Sequence, residues 1–267
     1  YAGGFARWHH IAGLLFGTLL IAWIFSGLMS MRPWHLLDSR STLSAADLRG
    51  ADLRAENLPY SVQDSLVRLR QSGLRVSELE WRMLGGQAYV VGLARTGDSR
   101  ILPLDVPGSP ALPLLPADTL LRAAHAMQPA GHLQTHWLEH YDDYHYARAE
   151  QSMNGSLSKR LPVLQVRFDD EAATWIYLDP YSGALVDQLD QRRRAARWLF
   201  NLLHSWDWLP LLERPLLRET LIIAASLGGL VISLSGAVLG WRRLRRPRIR
   251  TERRSSPACS PLQGENP

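Results

Sequence analysis

Histidine is the residue type with the widest chemical reach in this chain. His9 and His10 stand together at the mouth of a long apolar run, and His204 lies just ahead of a second one. His132, His136 and His140 recur at every fourth position, with His145, Asp142 and Asp143 close behind. Imidazole offers a nitrogen lone pair near neutral pH. It is an ordinary axial ligand of haem iron and a common ligand of transition metals. Gly13 and Gly17 follow His9 and His10 at helical spacing. Small residues there let a flat macrocycle approach the backbone, and they equally suit helix packing; histidines at such a position can also simply meet lipid headgroups. Of the two, His10 is the preferred ligand because it sits one residue deeper. His132, His136 and His140 share one face if the segment is a strand, and more loosely if it is a helix. Together they form a candidate metal site; the competing reading is a histidine-bearing edge strand in the aromatic run of Tyr141, Tyr144 and Tyr146.

Other chemistries leave no mark. The chain has no Gly-rich nucleotide loop, no nucleophile elbow and no zinc-protease helix. Peptidase activity is therefore not expected, no flavin or nicotinamide site is visible, and no catalytic residue is assigned. Cys259, the single cysteine, lies in the tail and has no partner for a disulfide.

Two apolar segments must position these histidines. No charged side chain occurs from Ile11 to Met31 or from Leu221 to Trp241. Each run is long enough to cross about 30 Å of hydrocarbon at about 1.5 Å per residue. Soluble helices of this length carry a polar face, which these lack. The first run is also too long for a secretory signal, and no small-residue cleavage pattern follows it. A start at Tyr1 instead of Met fits a processed chain or the C-terminal part of a longer protein. The mean hydropathy is slightly negative because the apolar residues are concentrated in these runs.

The net charge of +5 is concentrated too. Arg242, Arg243, Arg245, Arg246, Arg248, Arg250, Arg253 and Arg254 follow the second run directly. Such clusters stay on the cytoplasmic side and can touch anionic headgroups. Their position beside a membrane helix argues for topology and against nucleic acid as a partner. The expected arrangement has a cytoplasmic N-terminal end (1–10), a transmembrane helix (11–31) and a large outer region (32–190). An interfacial amphipathic helix and loop (191–218), a second transmembrane helix (219–241) and a basic cytoplasmic tail (242–267) complete it. In a bacterium the outer region is periplasmic and the bilayer is the inner membrane. Trp8, Trp34, Trp206, Trp208 and Trp241 fall at the expected headgroup levels. The tail beyond Arg254 is Ser/Pro-rich and expected to be disordered.

The outer region reads as two similar modules, about 58–106 and 117–190, joined by a proline-rich linker. Ser61 and Asp64 open a helix in the manner of a capping box. Strands are expected at 76–84, 88–93 and 101–106, with Gly85-Gly86 as a turn. Asp118 is expected to cap the second helix. Strands follow near 133–148, 162–168 and 173–178, then a turn from Asp179 to Gly183 and a strand over 184–186. The pair Ala46-Asp47-Leu48-Arg49 and Ala51-Asp52-Leu53-Arg54 mimics a solenoid repeat. Two copies cannot bury a solenoid core, so a short linker helix is the better expectation.

The stretch Trp175-Ile-Tyr-Leu-Asp-Pro-Tyr-Ser-Gly-Ala-Leu-Val186 resembles the strand–turn–strand signature of PepSY domains. Arg7-Trp-His-His-Ile-Ala-Gly-Leu-Leu-Phe-Gly17 and Trp23-Ile-Phe-Ser-Gly27 are similar to a helix of PepSY-associated transmembrane proteins. So are Arg197-Trp-Leu-Phe-Asn-Leu-Leu-His-Ser-Trp-Asp-Trp208, Ser226-Leu-Gly-Gly229 and Gly236-Ala-Val-Leu-Gly-Trp-Arg-Arg243. The resemblance implies an α+β membrane protein in which two transmembrane helices flank two PepSY-like modules of helix plus antiparallel sheet. Family members have about four membrane helices, which implies further helices N-terminal to those present.

The family includes inner-membrane ferric-siderophore reductases that carry haem between their helices. That implies haem b at His9 or His10 and at His204, electron passage to periplasmic ferric chelates, and a role in iron uptake. A transmembrane helix separates His204 from His9 and His10 by about 30 Å, so two haems would be needed. PepSY modules also occur in protease propeptides, where they are linked to inhibition. The alternative is therefore a non-enzymatic, membrane-anchored module that binds or regulates a periplasmic partner such as a peptidase.

Overall fold

The structure is a computed structural model, and it describes residues 4–54, 58–105, 108–149 and 159–245. The described chain alternates helix and antiparallel sheet between two long helices, α1 (Gly4–Ser30) and α8 (Pro215–Leu244). Both are long and apolar enough to cross a membrane. Their surfaces argue the same way. Leu14, Leu15, Ile21 and Ile24 of α1 and Leu216, Leu227 and Leu234 of α8 are more than half exposed. A soluble core helix would bury such side chains; a hydrocarbon solvent would not require it. Both helices run past the charge-free segments, α1 to include Arg7, Trp8, His9 and His10 and α8 to include Arg218 and Arg242. Intrahelical hydrogen bonding does not stop where the hydrocarbon does. Pro215 opens α8, a position where a missing N–H costs nothing.

The described residues fall into two compact units. The first joins the N-terminal part of α1, up to Thr18, to α8 from Ala225. Here small residues let the two helices approach. A Cβ at Gly228 would lie 2.4 Å from the Phe16 ring, and one at Gly236 would lie 3.2 Å from the His9 ring.

The second unit, Leu19 to Ala224, holds both sheets. Helix α2 (Ala45–Arg49) is the short linker helix expected over the pseudo-repeat. Ser44 caps its start and Gly50 ends it at φ +73°. Its last carbonyls, at Leu48 and Arg49, accept from the N–H groups of Gly85 and Gly86, which ties it to the hairpin turn. Helix α3 (Val62–Gln71) begins with the full capping box between Ser61 and Asp64. Strands β1 (Val76–Leu84), β2 (Gln87–Ala94) and β3 (Ser99–Pro103) form an antiparallel meander in that order. Val106, expected at the end of the third strand, lies outside the described residues.

Helix α4 (Ala117–Met127) starts from Pro116; Asp118 is not its cap but pairs with Arg122 one turn on. The second sheet is again a meander: β4 (Leu133–Leu138), β5 (Val163–Phe168), β6 (Trp175–Leu178) and β7 (Leu185–Leu189). Strand β4 is an edge strand and ends ten residues short of the expected limit at 148. The chain turns there because the Asp142 side chain accepts from the N–H groups of Tyr144 and His145, a local alternative to ladder bonding. One apolar core is shared by both sheets. Leu84, Val91 and Ile101 of the first sheet cluster with Leu164, Val166 and Ile176 of the second, with Leu48 of α2 and with Leu120, Ala123 and Ala124 of α4. A smaller cluster around Leu69, Val90 and Leu102 packs α3 onto the outer face of the first sheet.

The segment after β7 runs helical from Gln191 to Ser205, with a π-helical stretch inside it. Asp190 caps α5 (Gln191–Ala196) by accepting from the Arg193 N–H, and it also holds the Arg40 N–H. A wide π-turn over Arg197–Leu202 follows, then α6 (Leu203–Ser205). Trp206 adopts a left-handed conformation at φ 53°, and α7 (Leu209–Leu212) leads into α8.

Candidate functional site

His204 sits at the end of the π-turn, exposed, with its ring stacked on Phe200 at 5.1 Å. Its Nδ1 lies 3.1 Å from the Ser26 hydroxyl in α1. Ser26 is fully buried and donates its own proton to the Trp23 carbonyl, so its oxygen accepts from imidazole. That hydrogen bond places the His204 proton on Nδ1 and leaves Nε2 with the lone pair. Trp198 donates to the Tyr144 hydroxyl and packs edge-on against that ring. The π-turn breaks the 3.6-residue period on which the amphipathic reading rests.

His9 shows the same chemistry. Its Nδ1 is 3.0 Å from the Ser235 hydroxyl and 3.2 Å from the Ile232 carbonyl, both in α8. A carbonyl can only accept, and Ser235 donates to the Val231 carbonyl. The His9 proton is therefore on Nδ1 and the lone pair on Nε2. His10 is exposed on the neighbouring face of α1. Added Cβ atoms at Gly13 and Gly17 would meet nothing within 4 Å, so that stretch of α1 offers open space. An imidazole held through Nδ1–H, with the Nε2 lone pair as the metal donor, is the arrangement that metal-binding histidines use. The donor chemistry at His9 and His204 thus fits haem iron.

His136 lies within β4, opposite Gln165, while His132 precedes the strand and His140 follows its end; all three are exposed. Among the described residues, no three His, Cys, Asp or Glu side chains gather closely enough to hold a metal ion. His145 differs from these. It is completely buried, stacked on Tyr177 at 5.4 Å, and its Nε2 donates to the Arg160 carbonyl. Burial holds its pKa below the ordinary histidine value, against the opposing effect of that hydrogen bond.

Sequence reasoning missed a charge network beside His204. Asp207 has no exposed side-chain surface. It accepts from Arg218 at 2.7 Å and from Arg148 and the Tyr146 hydroxyl at 3.3 Å each. Arg218 also donates to the carbonyls of Ser205 and Trp206, which secures the left-handed turn. Arg197 donates to the carbonyls of Asp143 and Asp207 and lies 4.1 Å above the Tyr146 ring. One sequence signal pointed here: Arg218 stands next to an apolar run, where an ionised side chain requires a partner.

No curated protein and no solved structure matches this chain. The family described as the PepSY-associated TM region matches residues 6–258, a span that takes in α1, both sheets, the His204 segment and α8. With two apolar helices enclosing the mixed helix-and-sheet part, and with that match across nearly its full length, the chain belongs to the PepSY-associated transmembrane family.

Proposed function

We propose that this membrane protein binds haem b through His204 at one membrane face and through the His9–His10 pair at the other, and passes electrons outward to ferric chelates of the siderophore type. In this reading the helix-and-sheet part lies in the periplasm of a bacterium, the arginine-rich tail lies in the cytoplasm, and the protein serves iron uptake. The observation that carries it is the paired tautomer control. Ser26 fixes His204, and Ser235 with the Ile232 carbonyl fixes His9, so each Nε2 lone pair is left to a metal. Haem iron, when bound, supplies one-electron transfer. The chain's own residues supply the rest. Phe200 restricts rotation of the His204 ring, and the open stretch at Gly13 and Gly17 admits a flat group beside α1. His9, held by α8, is the better oriented of the pair.

Absorption spectra of the full chain, purified with ample haem supply, test this reading. A Soret band that shifts on reduction is expected. His204→Ala removes one haem and leaves the other, and changing His9 and His10 together does the converse. Ser26→Ala weakens haem retention at the His204 station by about tenfold or more. Absence of any Soret band from folded protein removes the mechanism and favours the membrane-anchored binding module.

A further inference from the structure

A cavity of about 640 Å³ opens between the C-terminal end of α1, strand β7, the loop after β4 and the π-turn segment. Among the described residues, its wall carries five cationic side chains, Arg32, Arg148, Lys159, Arg193 and Arg197, against a single carboxylate, Asp187. That carboxylate is already engaged by Lys159. Arg32 reaches Asp38 only at 3.6 Å, and Arg148 reaches the buried Asp207 at 3.3 Å. Among the described residues, Arg197 bonds only to backbone carbonyls, which carry no net charge.

Two of these guanidinium groups are also incompletely satisfied. Arg197 is 8% exposed, yet its Nη1 has no hydrogen-bond partner among the described residues, and neither does Arg148 Nε. Buried guanidinium N–H groups normally find acceptors. A wall with this excess of positive charge, set on guanidinium groups that are incompletely satisfied, calls for an anion with several oxygen acceptors. The planar fork of arginine matches phosphate and carboxylate oxygens in particular. The Tyr146 ring beneath Arg197 holds that fork in place.

We infer that this cavity is an oxyanion site for a phosphate-type group presented at the membrane surface. The inference stands apart from the haem reading, since none of its residues is a proposed haem ligand. Its position explains the chemistry. Met29 and Ser30, the last residues of α1, line the cavity, so it opens at the level where the apolar run ends and phosphate headgroups begin. The oxyanion has two sources, the headgroup of an anionic lipid or a dissolved phosphate.

Titration calorimetry of the full chain in an uncharged detergent separates the sources. The probes are inorganic phosphate and a short-chain phosphatidylglycerol below its micelle concentration. Saturable binding at one site per chain is expected for at least one probe. Preference for the lipid assigns a headgroup; equal or tighter binding of inorganic phosphate assigns the dissolved ion. Arg197→Lys keeps the charge but loses the fork, and weakens binding by about tenfold. Arg193 is exposed, so Arg193→Gln leaves folding intact and keeps the test valid if Arg197→Lys lowers the melting temperature; it too weakens binding. Wild-type protein that binds neither probe, or binding unchanged in both variants, overturns the inference.

Discussion

Asp207 is a fully buried carboxylate held between Arg218 and Arg148. Its carboxylate is enclosed, and two arginines depend on it for counter-charge. Asp207→Asn keeps the shape but strands those cations, which costs on the order of 3–5 kcal/mol for a buried pair. A matching drop in chemical-denaturation stability is the expected result. His145 makes a second, pH-dependent contribution. Its folded pKa is depressed by burial, so the unfolded chain binds the proton more readily. Its stabilising effect is complete above the unfolded value of about 6.5 and is lost as pH falls from there through the folded value. Melting temperature measured from pH 8 to pH 5 should fall, and His145→Phe should flatten that part of the slope. At this scale the sequence disclosed the histidines but not their partners. Ser26 and His204 are 178 positions apart and His9 and Ser235 are 226 apart, so no spacing rule links them.

The elements answer to local backbone chemistry. Gly50 is the sharpest case. Its φ of +73° disfavours any L side chain, and a Cβ there would lie 2.6 Å from the Gly86 nitrogen. Gly50→Ala therefore combines backbone strain with a clash against backbone that cannot step aside. A loss of about 1–3 kcal/mol is expected, visible as a lowered melting temperature, whereas Gly97→Ala meets nothing within 4 Å and bears only the positive-φ strain. The capping box at Ser61, the Gly85-Gly86 hairpin and both meanders were legible because each is written in contiguous residues. The early end of β4 and the π-turn were not. The first depends on how Asp142 folds back on its own backbone, and the second arises where Arg197 reaches out to the carbonyls of Asp143 and Asp207.

For the whole molecule, two apolar helices and their lipid-facing surfaces were readable from charge-free runs alone. Orientation rests on the arginines that follow α8. A phosphatase fused after Asp98 should therefore be active outside the cytoplasm, and one fused after Arg254 should be inactive; the reverse pattern would invert the proposed direction of electron flow. The contact between the two sheets was not readable. The proline-rich linker suggests separate modules, but Leu115 donates its N–H to the Pro180 carbonyl and Leu112 bridges to Ile101, drawing both sheets onto one set of apolar side chains.

That shared core has a thermodynamic consequence. Neither sheet can dissolve without exposing apolar surface of the other, so the two halves are bound into one cooperative event. Calorimetry of the full chain should show a single endotherm for the extramembrane part, not two. Limited proteolysis should yield no surviving fragment that contains one sheet alone. Leu164→Ala, made in the second sheet, should speed hydrogen exchange in the strands of the first to the same extent as in its own, because the same opening releases both.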